Sequence, residues 1–271
     1  MNVFVRLAAR MDEKAFLSFR LWQFGLRNIA RDFFWHYLFH ALLRHPARAV
    51  AGVRRYGQMV SRSHGAPLSG TMDLQELGDL PGAANLLIAP GYCMKPYDYE
   101  KGRSICPVGH FNHQCRLLDE AATLLRGRES WPAPCRRCGV APLAEKAVQL
   151  RADFYIMTSA MDIARDVYIP ATRQKSVQYG LFFLCPYSLE PFMFGLATAG
   201  VKGALIGFCR GACSNHDEWT RADVGMKNDQ TFVAGDLWQD VLQLLEDQRR
   251  VRRCDKEIRY HFDSHVYRAR S

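Results

Sequence analysis

The chain has 271 residues, 48% of them apolar and 23% charged, which is enough to bury a core and excludes a disordered polyelectrolyte. Its formal charge of +9 sits at the ends: residues 1–60 carry +7 and residues 248–271 carry +5, while the middle carries −3. Basic flanks suit an anionic lipid surface or an acidic partner protein, and the lack of a recognisable nucleic-acid module argues against nucleic acid.

The first residues, MNVFVRLAARMDEK, contain no unbroken apolar stretch of the kind a secretory signal needs. The run FFWHYLFHALL (Phe33 to Leu43) is too short to span a bilayer. The expected location is therefore cytoplasmic, with peripheral docking on the inner membrane face as a further expectation for the basic N-terminus. Residues 1–62 read as a basic amphipathic helical segment. Phe34, Tyr37, Leu38, Ala41 and Leu42 recur at helical spacing among Arg27, Arg31, Arg44 and Arg48. The same pattern also fits a helical cap packed on the body.

Residues 63–84 are rich in Ser, Gly and Pro and read as a linker with one short helical turn. The body, residues 85–271, opens with the first of four short apolar runs: Asn85–Ala89, Asp153–Thr158, Gly180–Leu184 and Gly203–Phe208. Helical patterns lie between them, at His113–Leu125, Ala141–Leu150, Met161–Tyr168 and Ser188–Ala199. Asp236–Arg253 reads as a last helix running into a basic tail. The alternation predicts an α/β fold with a mainly parallel sheet of about four strands and flanking helices.

Eight of the nine cysteines fall between Cys93 and Cys213. Cys93, Cys185 and Cys209 each follow an apolar run, so the carboxyl ends of the strands are expected to bring thiols to one rim. Reduced, clustered cysteines point to metal or catalysis rather than disulfides. The groups are Cys93, Cys106 and Cys115; Cys135 and Cys138 in CRRC; Cys185 before a proline; and Cys209 and Cys213 in CRGAC. Two-residue spacing lets both sulfurs of CRRC face one metal or adjacent irons. All eight are candidate cofactor ligands. Cys115, read inside a helix, is the one for which burial as a small apolar group is an equal explanation. The expected cofactor is one or two [4Fe–4S] clusters. Zinc is the alternative, because His110 and His113 lie between Cys106 and Cys115. Cys254 is not expected to take part.

Residues 85–186 resemble an uncharacterised prokaryotic family, domain of unknown function one hundred and sixteen. The resemblance rests on the order APGYC, Cys106-Pro107, CRRCG and a strand closing on LFFLCP. It implies a cysteine-ligated cofactor on an α/β body and no known reaction.

The stretch Ser214 to Phe232 has no clear periodicity and reads as a long functional loop. It offers His216, Asp217 and Glu218 as candidate acid/base groups beside the thiols. Tyr92, Tyr97 and Tyr99 are candidates to line the same crevice. There is no Walker loop, GxGxxG, GxSxG, HExxH or CxxxCxxC. The expected function is electron transfer, or reductive activation of a small substrate, for a partner oxidoreductase or biosynthetic enzyme. Two alternatives stand beside it: a zinc-stabilised interaction module docking to a partner or anionic membrane, and a cofactor-assembly or sulfur-handling helper.

Overall fold

The computed structural model describes residues 43–63, 70–81, 85–174, 177–252 and 259–270. The helical pattern over residues 27–42 and Cys254 lie outside them. In chain order the elements are α1 (Pro46–Ser63), α2 (Leu74–Gly78), β1 (Leu86–Ala89), β2 (Tyr97–Asp98), β3 (Arg103–Ser104), α3 (Arg116–Asp119), α4 (Ala121–Leu125), α5 (Ala133–Arg136), α6 (Val140–Leu150) and β4 (Asp153–Phe154). Then follow α7 (Ala160–Ile163), a π-helical stretch (Ala164–Tyr168), α8 (Ile169–Gln174), β5 (Tyr179–Leu184), α9 (Pro186–Ala199), β6 (Lys202–Gly207), α10 (His216–Asp223), α11 (Gly235–Arg252), β7 (Arg259–Asp263) and β8 (Val266–Arg270).

The four predicted runs form β1, β4, β5 and β6, all parallel to one another. The sheet is α/β and mostly parallel as expected, but it has six strands in the order β6-β5-β1-β4-β8-β7. The two extra strands are an antiparallel hairpin, β7–β8, added beside β4. This corrects both the strand number and the basic tail. The hairpin escaped notice because its turn, Ser264-His265, lacks the glycine that marks two-residue hairpins.

Both faces of the sheet are covered, as the near-continuous apolar strands require. Successive residues alternate sides. Leu86 and Ile88 face one core with Phe154, Leu181 and Phe183 under α6 and α11. Leu87 and Ala89 face the other with Tyr155, Phe182 and Leu184 under α9 and α1.

The described part of the N-terminal segment is core cover. Helix α1 turns Tyr56, Met59 and Val60 onto the second core, and Tyr56 Oη donates to Glu190 at 2.7 Å. At Gly52 the helix crosses α9 almost backbone to backbone, and a Cβ there would lie 2.5 Å from the Thr198 Cα. Gly52→Ala therefore forces two helices apart. We expect a loss of about 1–3 kcal/mol, as for other overpacked cores, read by denaturant unfolding. An unchanged midpoint would mean that α1 rides loosely on the body. Within the expected linker, Gly70 bridges to Ala204, Thr71 Oγ1 donates to the Val201 carbonyl, and Met72 and Leu77 are buried.

Candidate functional site

Among the parallel strands the chain passes from β1 to β4 on one side, then crosses back to β5 on the other side of β1. The crossing point lies between β1 and β5. In doubly wound sheets the carboxyl ends at such a reversal open the ligand crevice. Cys93 stands four residues after β1, in a single 3-10 turn (Tyr92–Met94). Cys185 follows β5 directly and caps α9, with Pro186 at the first helical position.

Three buried thiols meet there: Cys93, Cys185 and Cys213. The Cys213 N–H donates to Cys185 Sγ at 3.2 Å, and Lys227 Nζ lies 3.5 Å from Cys213 Sγ. Thr231 Oγ1 donates to Cys93 Sγ at 3.2 Å while its N–H binds the Cys93 carbonyl. Burial pushes the Cys93 thiol up to about 11, against the Thr231 hydrogen bond and the Lys227 charge. Cys185 and Cys213 share a proton. The hydrogen bond from Cys185 and then the Lys227 ammonium pull Cys213 below its usual range, and Cys185 is held above its own. The arrangement sets Cys213 Sγ beside the Lys227 ammonium, which favours its thiolate form.

A second group lies in the loops beyond β1. Cys106, Cys115 and Cys138 all act on the buried ammonium of Lys95, and Cys106 acts on Cys135. Lys95 is 1% exposed. Its Nζ donates to the carbonyls of Gly109 (3.2 Å) and Asn112 (2.9 Å) and to Asn112 Oδ1 (2.7 Å). The ammonium thus organises the loop between Cys106 and Cys115. Burial pushes Cys115 up to about 11 and Cys138 further still. Such thiols stay protonated unless a cation takes the proton's place.

Cys115 is not inside a helix, as its periodicity suggested, but caps α3 with extended backbone. Its N–H is held by Tyr267 Oη of the hairpin at 2.9 Å. The CRRC turn closes as the spacing requires, with the Cys138 N–H on the Cys135 carbonyl at 3.2 Å. Trp131 beneath it is 2% exposed and donates to Leu124. Gln230 ties the two groups together: its side-chain amide donates to the Met94 (3.2 Å) and Arg137 (2.9 Å) carbonyls.

The remaining sequence candidates fall out differently. Cys209 ends β6 as expected but is exposed, and it is Cys213 that turns back to Cys185. The expected loop Ser214 to Phe232 contains α10, a polar helix with little apolar pattern to betray it. Its N-cap, Asn215, accepts from the Glu218 N–H at 3.0 Å. Glu218 in turn accepts from the Ser214 N–H and hydroxyl, so this carboxylate serves as a helix cap. Asp217 lies in the same first turn, and His216 opens the helix. Tyr92 is buried, with its hydroxyl on the Ala222 carbonyl at 2.6 Å; Tyr97 is buried and Tyr99 exposed.

His110 is packed edge-on against Tyr92, and both its ring nitrogens are buried without a hydrogen-bond partner. Burial, with Lys95 and Lys227, holds its imidazolium down at about 4, so the ring is a neutral donor–acceptor at physiological pH. His113, the other zinc candidate, has Nδ1 2.7 Å from the Ile156 carbonyl and Nε2 3.1 Å from Thr158 Oγ1.

No protein-family model, curated protein or solved structure matches the chain. Among the described residues, one set of three potential ligand atoms lies within 4.8 Å of one another: His113, Asp166 and His265. The thiols stand wider than that. A single tetrahedral zinc draws its sulfurs to roughly 3.8 Å of one another, given Zn–S bonds of about 2.3 Å. A cluster interposes iron and sulfide between them. No described helix is long and apolar enough to cross a membrane. Lys95 carries no pattern that marks it as a site residue in the sequence, whereas Lys227, Gln230 and Thr231 fall within the stretch Ser214 to Phe232 read as a functional loop.

Proposed function

We propose that the protein is an iron–sulfur protein that passes electrons, or reductively activates a small substrate, for a partner oxidoreductase or biosynthetic enzyme. The observation that carries this reading is the division of the thiols. Cys93, Cys185 and Cys213 lie around Lys227 at the sheet's crossing point, and Cys106, Cys115 and Cys138 lie near Lys95, with Cys135 beside Cys106. Each group sets partly or fully buried sulfur beside one lysine, Lys95 fully buried and Lys227 half-buried, as suits a cofactor whose thiolate shell is strongly negative. His110, with two unpartnered nitrogens, adds a polar face that an empty core does not need.

A cluster held there supplies one-electron chemistry, its potential set by burial and by hydrogen bonds to sulfur. The chain's own part is to exclude water, donate from Thr231 and the Cys213 N–H to sulfur, and hold positive charge at Lys95 and Lys227. The resemblance to domain of unknown function one hundred and sixteen implies the same class of cofactor. Docking would use the basic N-terminal region, where Leu43, Val50 and Val53 are exposed alongside Arg44, Arg54 and Arg55.

Anaerobic purification with iron, sulfide and zinc analysis tests the reading. Brown protein with about four or eight irons per chain is expected, as cluster nuclearity requires. Colourless protein with stoichiometric zinc would replace it with the zinc-stabilised module. The Cys213 thiolate beside Lys227 favours a second reading, a sulfur-handling helper, because thiolate is the nucleophilic form. Selective alkylation of Cys213 in iron-free protein near neutral pH, with Cys93 and Cys138 spared, would support that role.

A further inference from the structure

We propose that His113, Asp166 and His265 form a binding site for one divalent first-row transition ion, with Asp162 as a further oxygen donor. The site is separate from both thiol groups and does not depend on the iron–sulfur reading.

The donors come from three distant segments: the loop before α3, the π-helical stretch and the hairpin turn. The three primary ligand atoms lie within 4.8 Å of one another. His265 Nδ1 is 2.8 Å from Asp166 Oδ2, and His113 Nε2 is 3.6 Å from Asp162 Oδ2. The two imidazoles stack at 4.2 Å, 14° from parallel, so the more exposed His265 ring turns before both in-plane lone pairs can meet one ion. Asp166 is buried and the His113 side chain is 11% exposed. Paired imidazoles with carboxylate suit zinc, iron or cobalt.

Proton accounting points the same way. His113 Nδ1 lies 2.7 Å from the Ile156 carbonyl and must donate to it. Ligand histidines are commonly fixed in this manner, leaving Nε2 free for a metal. The nearest atom to Nε2 is Thr158 Oγ1 at 3.1 Å, but that hydroxyl gives its proton to Asp162 Oδ2 at 2.6 Å. Nε2 therefore faces an oxygen with no proton to offer.

The backbone is bent to serve this geometry. Ser264 and His265 have φ of 49° and 68°, a left-handed pair with no glycine. Hairpins of this kind take Asn-Gly or Gly-Gly by preference, and strained non-glycine residues cluster where function holds them. The π-helical stretch has a local cause, since Pro170 has no N–H to offer the Asp166 carbonyl four residues back. Arg165 presently holds the carboxylates, at 2.8 Å from Asp162 and 3.0 Å from Asp166. It is half-exposed and free to swing into solvent, so it acts as the competing cation.

The test adds Co2+ to the protein as purified. We expect one cobalt whose X-ray absorption shows nitrogen and oxygen neighbours alone, displaced by Zn2+. The paired substitution Ser264→Asn with His265→Gly relaxes the turn and removes a ligand. It should weaken Co2+ binding by about ten-fold or more, as loss of a positioned histidine does, while raising the melting temperature. Arg165→Ala should bind cobalt several-fold more tightly. Cobalt found only among sulfur neighbours, no cobalt bound, or unchanged affinity in the Asn-Gly variant would each overturn the proposal. Iron content is read on the same samples, so a protein without iron leaves this result standing.

Discussion

Cys138→Ser should strip the iron from one thiol group and leave the other filled. The expected loss is about half the iron of the anaerobic protein, since each group would hold one cluster. Cys185→Ser should remove the other half. The two electron paramagnetic resonance signals should disappear one at a time, and Cys209→Ser, at an exposed thiol, should change least. The grouping follows the contacts: the Cys213 N–H meets Cys185 Sγ, and the Cys138 thiol reaches the Met94 carbonyl next to Lys95. If either substitution empties both groups, the thiols belong to a single centre and the division is wrong.

Lys95→Met is the second large effect. Methionine keeps much of the stem's volume but removes the Lys95 donor from the carbonyls of Gly109 and Asn112 and from the Asn112 amide oxygen, which keeps only the Gln114 N–H. Losing hydrogen bonds to a buried charge costs about 2 kcal/mol or more. That loss should loosen the loop bearing Cys106 and Cys115. A positive charge near a cluster favours its more negative, reduced form, so the midpoint potential of the filled protein should fall in the variant. Voltammetry reads this separately from unfolding. A potential unmoved by the substitution would place Lys95 outside the cofactor's field.

The sequence made the parallel sheet legible because its strands are buried on both faces and therefore read as unbroken apolar runs. It made the thiols legible as a set, since three of the four runs end near a cysteine. The grouping was hidden. Cys213 rather than Cys209 turns back to Cys185, because Cys209 ends β6 pointing outward while the chain returns through the CRGAC turn. Side-chain direction at the end of a strand does not show in spacing. The hairpin was hidden for a different reason: Tyr260, Phe262, Val266 and Tyr267 are interleaved with charged and polar residues, and their turn carries no glycine. With it went His265, whose partners His113 and Asp166 lie about a hundred residues or more away in sequence. Helix α10 was hidden because capping, not an apolar stripe, defines its start.

The crossing of α1 over α9 at Gly52 has a mechanical side. Cys185 is the cap of α9, so the thiol at the sheet's crossing point is the tip of the same rod that α1 grips near its far end. Close-packed helices transmit displacement instead of absorbing it. A membrane or protein that tugs on the segment leading into α1 would thus pull on a lever whose other arm is the proposed ligand Cys185, and docking at one end of the molecule would be felt as a change in sulfur geometry at the other.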